Sequence, residues 1–224
     1  MAGCLVSLEG GEASGKSTQV ARLARALVSM GLIVVTSREP GGTPFAERLR
    51  SLLLDARSEG IEGVTEVLLF AAARAEVFAK VIAPGLKRGA VVLCDRFVDS
   101  SLAYQGYGLG LDLSVIREIN NRATQGRMPD LTLVLDVPVD VALARRVQQG
   151  REGDRIESRT SGFHRAVREG YRALALEDPH RIRWIDGSRP VDEVAGSILA
   201  EVLPAMARCG VHPVADTNGT GGGA

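Results

Sequence analysis

The 224-residue sequence has no surplus of charge of either sign, because lysine plus arginine and aspartate plus glutamate each total 27. Balanced charge offers no excess of positive groups to hold a nucleic-acid backbone or an anionic membrane surface. The sequence also lacks an apolar run of the ~18 residues that a membrane-spanning helix requires. We therefore expect small-molecule partners rather than nucleic acid polymers or a membrane.

The N-terminal segment lacks the basic residues of a secretory signal, and Glu9 interrupts its apolar run. The cysteines, Cys4, Cys94 and Cys209, are odd in number and show no CxxC spacing. Cys4 and Cys94 lie in apolar, strand-like runs, which predicts core packing in a reducing cytoplasm. The three histidines are far apart, without metal-ligand spacing, which favours surface or capping roles.

Short runs rich in valine, isoleucine and leucine alternate with amphipathic stretches along the chain. The predicted strands are 4–8, 32–36, 90–94, 131–136 and 182–185. The predicted helices are 16–30, 43–56, 64–84, 112–125, 138–149, 161–177 and 191–207. This alternation predicts an α/β fold of three layers, in which a five-stranded parallel sheet is flanked by helices.

The length fits one domain, which we place at residues 1–209. Within it, residues 149–157 are charged and contain two glycines between two predicted helices, which predicts a mobile surface loop. Residues 210–224 are rich in glycine, threonine and asparagine, a composition that cannot offset its ordering entropy. We therefore expect a flexible C-terminal tail.

The strongest chemical signal is a glycine-rich motif between the first predicted strand and the first predicted helix. It reads Gly10-Gly11-Glu12-Ala13-Ser14-Gly15-Lys16-Ser17, a match to G-x-x-x-x-G-K-[ST]. In this context backbone N–H groups surround phosphate oxygens, Lys16 contacts the outer phosphates and the Ser17 hydroxyl binds Mg²⁺. An accidental glycine-rich turn is the alternative, and the flanking strand and helix argue against it. We predict ATP and Mg²⁺ as ligands and assign the segment through Thr18 to the nucleotide.

Two charged residues end the third predicted strand, where a parallel sheet points toward a ligand crevice. The Asp95 carboxylate can organise the magnesium shell, and the Arg96 guanidinium can bind a second phosphate group with two parallel hydrogen bonds. An Asp/Arg surface turn is the alternative interpretation.

Five motifs occur in the order expected of bacterial thymidylate kinases, which the chain resembles over about residues 4–205. The motifs are Glu9-Gly10-Gly11-Glu12, Arg38-Glu39-Pro40-Gly41-Gly42-Thr43, Leu69-Phe70-Ala71-Ala72-Ala73-Arg74, Asp95-Arg96-Phe97 and Ala103-Tyr104-Gln105-Gly106. The glycine-rich motif is shared with many NTPases, whereas the other motifs in this order are specific to the family. The resemblance implies a P-loop NTPase fold with a lid loop at about 149–160.

The resemblance also implies a site for the monophosphate substrate. Phe70 and Arg74 lie at i and i+4 on one helix face, so Phe70 can stack on thymine while Arg74 donates to its carbonyl oxygen. A core phenylalanine beside a solvated arginine is the alternative. Arg38 and Arg96 are expected to hold the dTMP phosphate.

Further positions match the family's contacts with the nucleoside. Ser101 and Gln105 fall where the family contacts the base, and Tyr104 falls where it closes off the 2′ position of the sugar. Glu12 is expected to accept from the 3′-hydroxyl or to assist the metal site. Helix-surface residues and a solvated loop carboxylate are the respective alternatives.

The resemblance also implies a catalytic arginine in the lid loop. Family members whose P-loop lacks a basic residue after its acidic one supply that arginine from the lid, and here the P-loop position is Ala13. We assign the role to Arg155, with Arg151 as the secondary candidate. Arg145 matches an arginine that packs against adenine, although a helix-surface salt bridge is the alternative.

The catalytic set expected from these arguments is Lys16, Arg96, Arg155 and Glu12, and the expected reaction is ATP plus dTMP giving ADP plus dTDP. Two rivals remain open: a kinase for another (deoxy)nucleoside or its monophosphate, and a non-catalytic nucleotide-binding switch module. The resemblance further implies a homodimer in the cytoplasm, with the helix at 64–84 as one element of its interface.

Overall fold

The computed structural model describes residues 3–148, 150 and 153–213. Its core is a five-stranded sheet in the order β2-β3-β1-β4-β5, and every neighbouring pair of strands is parallel. The strands are β1 (Cys4–Glu9), β2 (Val34–Arg38), β3 (Val91–Asp95), β4 (Leu131–Asp136) and β5 (Ile182–Asp186). The five-stranded parallel sheet flanked by helices confirms the predicted fold class.

Nine α-helices connect the strands within the described ranges. They are α1 (Lys16–Ser29), α2 (Pro44–Leu54), α3 (Gly63–Val77), α4 (Ala83–Lys87), α5 (Val98–Ser101), α6 (Leu113–Ala123), α7 (Val139–Gln148), α8 (Ser161–Glu177) and α9 (Val191–Arg208). Two π-helical segments, Phe78–Ile82 and Leu102–Gly108, continue α3 and α5, and a short 3₁₀ turn spans Ala56–Ser58. In the part of the chain that the structure describes, no helix is both long and apolar enough to cross a bilayer.

The alternation of side chains along the strands builds one hydrophobic layer on each face of the sheet. In β1, Val6 and Leu8 pack with residues of α1 and α9, whereas Leu5 packs on the opposite face with residues of α2 and α3. Burial on both faces explains why the central strands are continuous apolar runs. Val211, two residues after the predicted end of the domain at 209, is buried in the α1/α9 layer.

The segment from Val98 to Gly108 is helical, and the periodicity of the sequence did not predict it. Its buried side chains include Asp99, Ser100, Ser101 and Gln105. Because these buried positions are polar, the segment has no apolar periodicity from which a helix could be predicted. Each of these groups bonds a polar side chain of another segment: Asp99 accepts from Thr132 and Arg181, Ser100 donates to Glu9, Ser101 accepts from Arg74 and Gln105 donates to Glu66.

Residues 153–160 of the predicted lid include three buried side chains. Arg155, Ile156 and Glu157 are each at most 9% exposed, and Ile156 joins the hydrophobic cluster that includes Phe163. The described part of the predicted lid is therefore packed against the domain.

Candidate active site

The candidate site is a cavity of about 280 Å³ at the carboxyl ends of β1 and β3. It is lined by residues from the P-loop, β2, α3, the end of β3 and the helical segment 98–108. Of the predicted site residues, it collects Glu12, Ala13, Ser14, Gly15, Lys16, Ser17, Thr18, Arg38, Phe70, Arg74, Asp95, Arg96, Ser101, Tyr104 and Gln105. The folded chain thus brings together residues that are up to 93 positions apart in the sequence.

The glycine-rich segment closes into a loop between β1 and α1. Gly10 has φ +128°, and a Cβ there would meet the Leu135 carbonyl oxygen at 2.4 Å. Gly15, at φ +91°, lies directly before α1. The loop surrounds the Lys16 ammonium, whose Nζ donates to the Gly11 carbonyl at 2.6 Å and to the Gly10 carbonyl at 3.2 Å. This geometry places a cation and a helix N-terminus at one point, which suits a phosphate group.

A pair of oxygen ligands lies next to the loop. The Ser17 hydroxyl donates to Asp95 Oδ2 at 2.5 Å, joining the first turn of α1 to the end of β3. A hydroxyl and a carboxylate are hard donors of the type that Mg²⁺ prefers. The two predicted metal ligands therefore lie together and fit the ion.

Arg96 crosses the cavity from the end of β3. Its backbone has φ +72°, a left-handed conformation uncommon for a residue with a side chain, and its amide donates to the Leu8 carbonyl. The guanidinium donates to Glu12 Oε1 at 2.7 Å, to the Tyr104 hydroxyl at 2.9 Å and to the Gly10 carbonyl at 2.9 Å. Arg96 therefore connects the P-loop with the predicted monophosphate side.

Glu12 is held in its charged form by the same contacts. Burial raises the pKa of Glu12, but the charges of Arg96 and Lys16 and a hydrogen bond from Tyr104 outweigh burial, leaving the pKa at about 2. The Tyr104 hydroxyl donates to the carboxylate at 2.7 Å. At neutral pH Glu12 is an acceptor, as a contact with a sugar hydroxyl requires.

Glu9 binds the residues that directly follow Arg96 and so fixes the start of the segment after β3. Its carboxylate accepts from the Phe97 amide at 2.7 Å, the Ser100 hydroxyl at 2.5 Å and the Tyr171 hydroxyl at 2.9 Å. Burial, aided by the charge of Asp99, raises the pKa of Glu9 to about 7 despite these bonds. The fully buried carboxyl group therefore titrates near neutral pH.

This titration predicts a pH dependence of stability. Because the pKa of Glu9 is about 7 in the folded chain and about 4.5 when solvated, its stabilisation is complete below pH ~4.5 and is lost as pH rises through 7. The expected loss is about 1.4 kcal/mol per pH unit, or about 3 kcal/mol in all. Denaturant unfolding of the natural chain and of Glu9→Gln at several pH values measures the difference. Parallel pH profiles would contradict this assignment.

The structure gives Arg74 a more structural position than predicted. Only 1% of Arg74 is exposed, and its guanidinium donates to Glu39 Oε2 at 2.7 Å, Ser101 Oγ at 3.0 Å, Asn120 Oδ1 at 2.5 Å and the Phe97 carbonyl at 3.1 Å. These bonds use four of its five N–H groups, and within the described residues the fifth, on Nη2, has no partner. The alternative of a solvated arginine is excluded.

Phe70, one turn before Arg74 on α3, is partly buried and lines the cavity. Gln105, predicted to contact the base, is buried and donates to Glu66 Oε1 at 2.9 Å. Ser101 is likewise buried and is bound to Arg74. Neither Ser101 nor Gln105 is a helix-surface residue. Both face the cavity from the segment after β3.

The structure places Arg155, the predicted catalytic arginine of the lid, away from the P-loop. Its guanidinium does not line the P-loop cavity: Nε donates to the Leu53 carbonyl at 2.8 Å, and Nη2 donates to Glu66 Oε2 at 2.7 Å. Arg159 also donates to Glu66 Oε2, at 2.6 Å. The completely buried Glu66 carboxylate attracts both arginines inward. The secondary candidate, Arg151, lies outside the described residues.

Arg145 lies on α7, away from the main cavity. Its guanidinium donates to the Gly187 carbonyl, from Nη1 and Nη2 at 3.1 Å each, and to the Ser188 carbonyl at 3.4 Å. A surface salt bridge was the alternative, and the bonds in the structure go instead to the loop between β5 and α9. The adenine contact stays a prediction.

Three residues that line or support the cavity were not assigned from the sequence. Arg50 projects into it from α2 and donates to the Pro40 carbonyl at 2.8 Å, and Glu39 anchors Arg74. Burial and the neighbouring charge of Arg38 lower the pKa of Arg50, so two cations stand close together on one wall. Arg50 lies three positions after Glu47, the partner of Arg38, a helical spacing that could have placed it near that wall. The third residue is Glu66, and no sequence signal indicated that it is buried.

The sequence is similar to known thymidylate kinases. A family model described as thymidylate kinase matches residues 8–198. The thymidylate kinase of Symbiobacterium thermophilum is 48% identical over 212 residues, covering 93% of this chain and 98% of the relative. That of Pelotomaculum thermopropionicum is 49% identical over 209 residues, covering 92% and 97%.

A solved structure agrees with these relatives. The crystal structure of thymidylate kinase from Ehrlichia chaffeensis superposes with a TM-score of 0.73 at 33% identity, covering 90% of this chain and 99% of that one. The family model spans most of the chain, and the relatives match over nearly their whole length. The chain belongs to the thymidylate kinase family.

Proposed function

We propose that this chain transfers the γ-phosphoryl group of ATP to dTMP, giving ADP and dTDP, with Mg²⁺ as the metal. The observation that carries the proposal is the single cavity lined both by the P-loop and by all seven residues predicted for the monophosphate. An NTPase that acted on water would need no second set of converging arginines and aromatic groups beside the P-loop.

On the donor side, the P-loop backbone and Lys16 hold the phosphates, and Arg145 lies near the adenine. Ser17 and Asp95 would hold Mg²⁺, which would reduce the negative charge of the phosphates. The contact between the two ligands supports this role, since one ion can reach both oxygens.

On the acceptor side, Phe70 stacks on thymine, and the remaining Arg74 N–H donates to a base carbonyl. Arg38, joined by Arg50, binds the dTMP phosphate from one wall of the cavity, and Arg96 binds it from the other. These are cationic groups arranged around one space, which is the requirement for holding a phosphate dianion.

The deoxyribose lies between these groups. The Tyr104 ring closes off its 2′ face, which disfavours ribose, and Glu12 accepts from the 3′-hydroxyl. Ser101 and Gln105 complete the contacts with the base. Burial of both residues supports fixed positions and hence selectivity.

Transfer requires little covalent help from the protein, because the attacking phosphate oxygen is already an anion at neutral pH. The main barrier is the repulsion between two polyanions and the charge on the transferring group. Lys16 reduces the negative charge of the ATP phosphates, and Arg96 contacts both the dTMP phosphate and the transferring group. The chain therefore acts by positioning and by charge.

A coupled assay tests the proposal with purified protein, Mg-ATP and dTMP, dUMP, CMP, AMP or thymidine as acceptor. We expect dTMP to be the preferred acceptor and ATP hydrolysis without an acceptor to be feeble, because an ordered site excludes water. A Lys16→Met variant measured in parallel controls for contaminating kinases.

Each rival predicts a different result. A preference for another acceptor would identify a different (deoxy)nucleoside or monophosphate kinase. ATP binding without turnover of any acceptor would indicate a switch module and contradict the proposal.

The homodimer and the cytoplasmic location stay predictions. Val64 and Leu68 on α3 are 55% and 52% exposed, and Val115 on the neighbouring α6 is 50% exposed. Apolar side chains on two adjacent helices support an interface between two copies of the chain. Light scattering that returned the mass of one chain would contradict it.

A further inference from the structure

Two cysteines from opposite ends of the chain lie side by side. Cys4, the first residue of β1, is completely buried, and Cys209, the residue that follows α9, is partly buried. Their sulfur atoms are 3.0 Å apart although 205 positions separate them in the sequence. A disulfide bond has a length of about 2.05 Å, so the sulfurs need to approach by only about 1 Å.

The surroundings of the pair favour a disulfide over a metal site. Asp130 lies beside both thiols, but its Oδ2 already accepts from the Leu5 amide at 2.8 Å and from Arg127 Nη2 at 2.5 Å. The guanidinium neutralises the carboxylate and places a cation where a metal would bind. Two sulfurs in a tetrahedral zinc shell would also be about 3.8 Å apart, farther than observed.

We propose that Cys4 and Cys209 form a reversible disulfide bond that joins the first strand of the sheet to the end of the last helix. The bond forms by exchange with a small disulfide such as oxidised glutathione. The Cys209 thiolate attacks one sulfur and releases a first thiol. The Cys4 thiolate then attacks Cys209 in the mixed disulfide and releases a second. Two protein thiols are oxidised, and one small disulfide is reduced to two thiols that carry the two protons.

The environment makes this exchange slow at neutral pH. Burial and the nearby Asp130 raise the pKa of the Cys209 thiol, and burial raises the pKa of Cys4 well above its usual range. Because only thiolates attack disulfides, the rate rises with pH. The fraction of the chain that carries the bond is therefore set by the ratio of small disulfide to thiol. The pair does not react rapidly with peroxide.

The cross-link should stabilise the fold without altering the site. It closes a loop of nearly the whole chain, which restricts the unfolded state. The thiols lie at the amino end of β1, and the P-loop follows the carboxyl end of the same strand. We expect the Tm to rise by about 5–15 °C on oxidation and the turnover of dTMP to change less than about twofold.

The experiment compares the full chain with Cys209→Ala and with Cys94→Ala as the matched control. Cys94 packs on the opposite face of the sheet from Cys4, in another hydrophobic cluster. Each protein is equilibrated in glutathione buffers from fully reduced to fully oxidised, then examined by non-reducing peptide mapping and thermal unfolding. In the natural chain and in Cys94→Ala, we expect oxidation to give a Cys4–Cys209 peptide and a higher Tm. In Cys209→Ala we expect neither.

Other outcomes overturn the proposal. Free thiols at full oxidation, a bond that involves Cys94, or glutathione retained on Cys209 would each exclude the cross-link. So would a Tm rise that persists in Cys209→Ala. Equimolar zinc binding by the reduced natural chain that Cys209→Ala abolishes and that blocks oxidation would assign the pair to a metal instead. Because mapping and unfolding require no substrate, these results are independent of the proposed kinase activity.

Discussion

Replacing Arg96 with lysine is expected to lower kcat for dTMP phosphorylation by about 10³-fold. Lysine keeps the charge, but one ammonium cannot reproduce a planar guanidinium that reaches Glu12, Tyr104 and the Gly10 carbonyl at once. The phosphate of dTMP and the transferring group would then no longer share the several hydrogen bonds of one guanidinium. Steady-state kinetics with saturating ATP and varied dTMP measures the effect.

The matched control is Arg38→Lys in the same cavity. Arg38 is exposed, pairs with Glu47 at 3.0 Å and is predicted to contact only the monophosphate. We expect this variant mainly to raise KM for dTMP. Equal losses of kcat in both variants would show that Arg96 has no special role in transfer, and unchanged Tm values would show that both variants fold.

Replacing Arg155 with alanine is expected to destabilise the chain by about 3 kcal/mol and to lower its Tm by about 6–12 °C. The side chain is 6% exposed and its partner, Glu66, is completely buried, so the substitution leaves a buried carboxylate with one fewer cation. Arg159 still contacts Glu66, which limits the loss. Chemical denaturation and thermal unfolding measure the change.

Arg57→Ala is the matched control, because the Arg57 side chain is 91% exposed in its pair with Asp55. Its substitution should leave the free energy of unfolding nearly unchanged. For Arg155→Ala, measured well below its Tm, we expect kcat to fall by less than about tenfold. A fall of about 10³-fold with an unchanged Tm would restore Arg155 as the catalytic lid arginine.

Much of the fold could be predicted from local patterns. The P-loop requires glycines at fixed positions between a strand and a helix, and a polar end to a buried strand indicates the crevice of a parallel sheet. Ser17 and Asp95 could therefore be paired without a structure. The predicted strand at 32–36 lies two residues early, because Leu32 and Ile33 continue the apolar run before β2 begins at Val34.

The second half of the site depends on groups whose burial is invisible in the sequence. No pattern in the sequence indicates that Glu66 is buried, yet its carboxylate is the acceptor for Gln105, Arg155 and Arg159. Such a cluster is stable only when several polar groups from distant segments meet and satisfy one another. The same reasoning applies to the helical segment 98–108, which buries polar side chains and so has no apolar stripe.

The amino-acid order was sufficient for the family, the parallel sheet and the P-loop, because these depend on spacings within short segments. The direction of Arg155, the contribution of Arg50 and the meeting of Cys4 with Cys209 depend on contacts between residues far apart in the chain. No local pattern encodes such contacts, since they arise only when helices from separate segments pack on the same sheet.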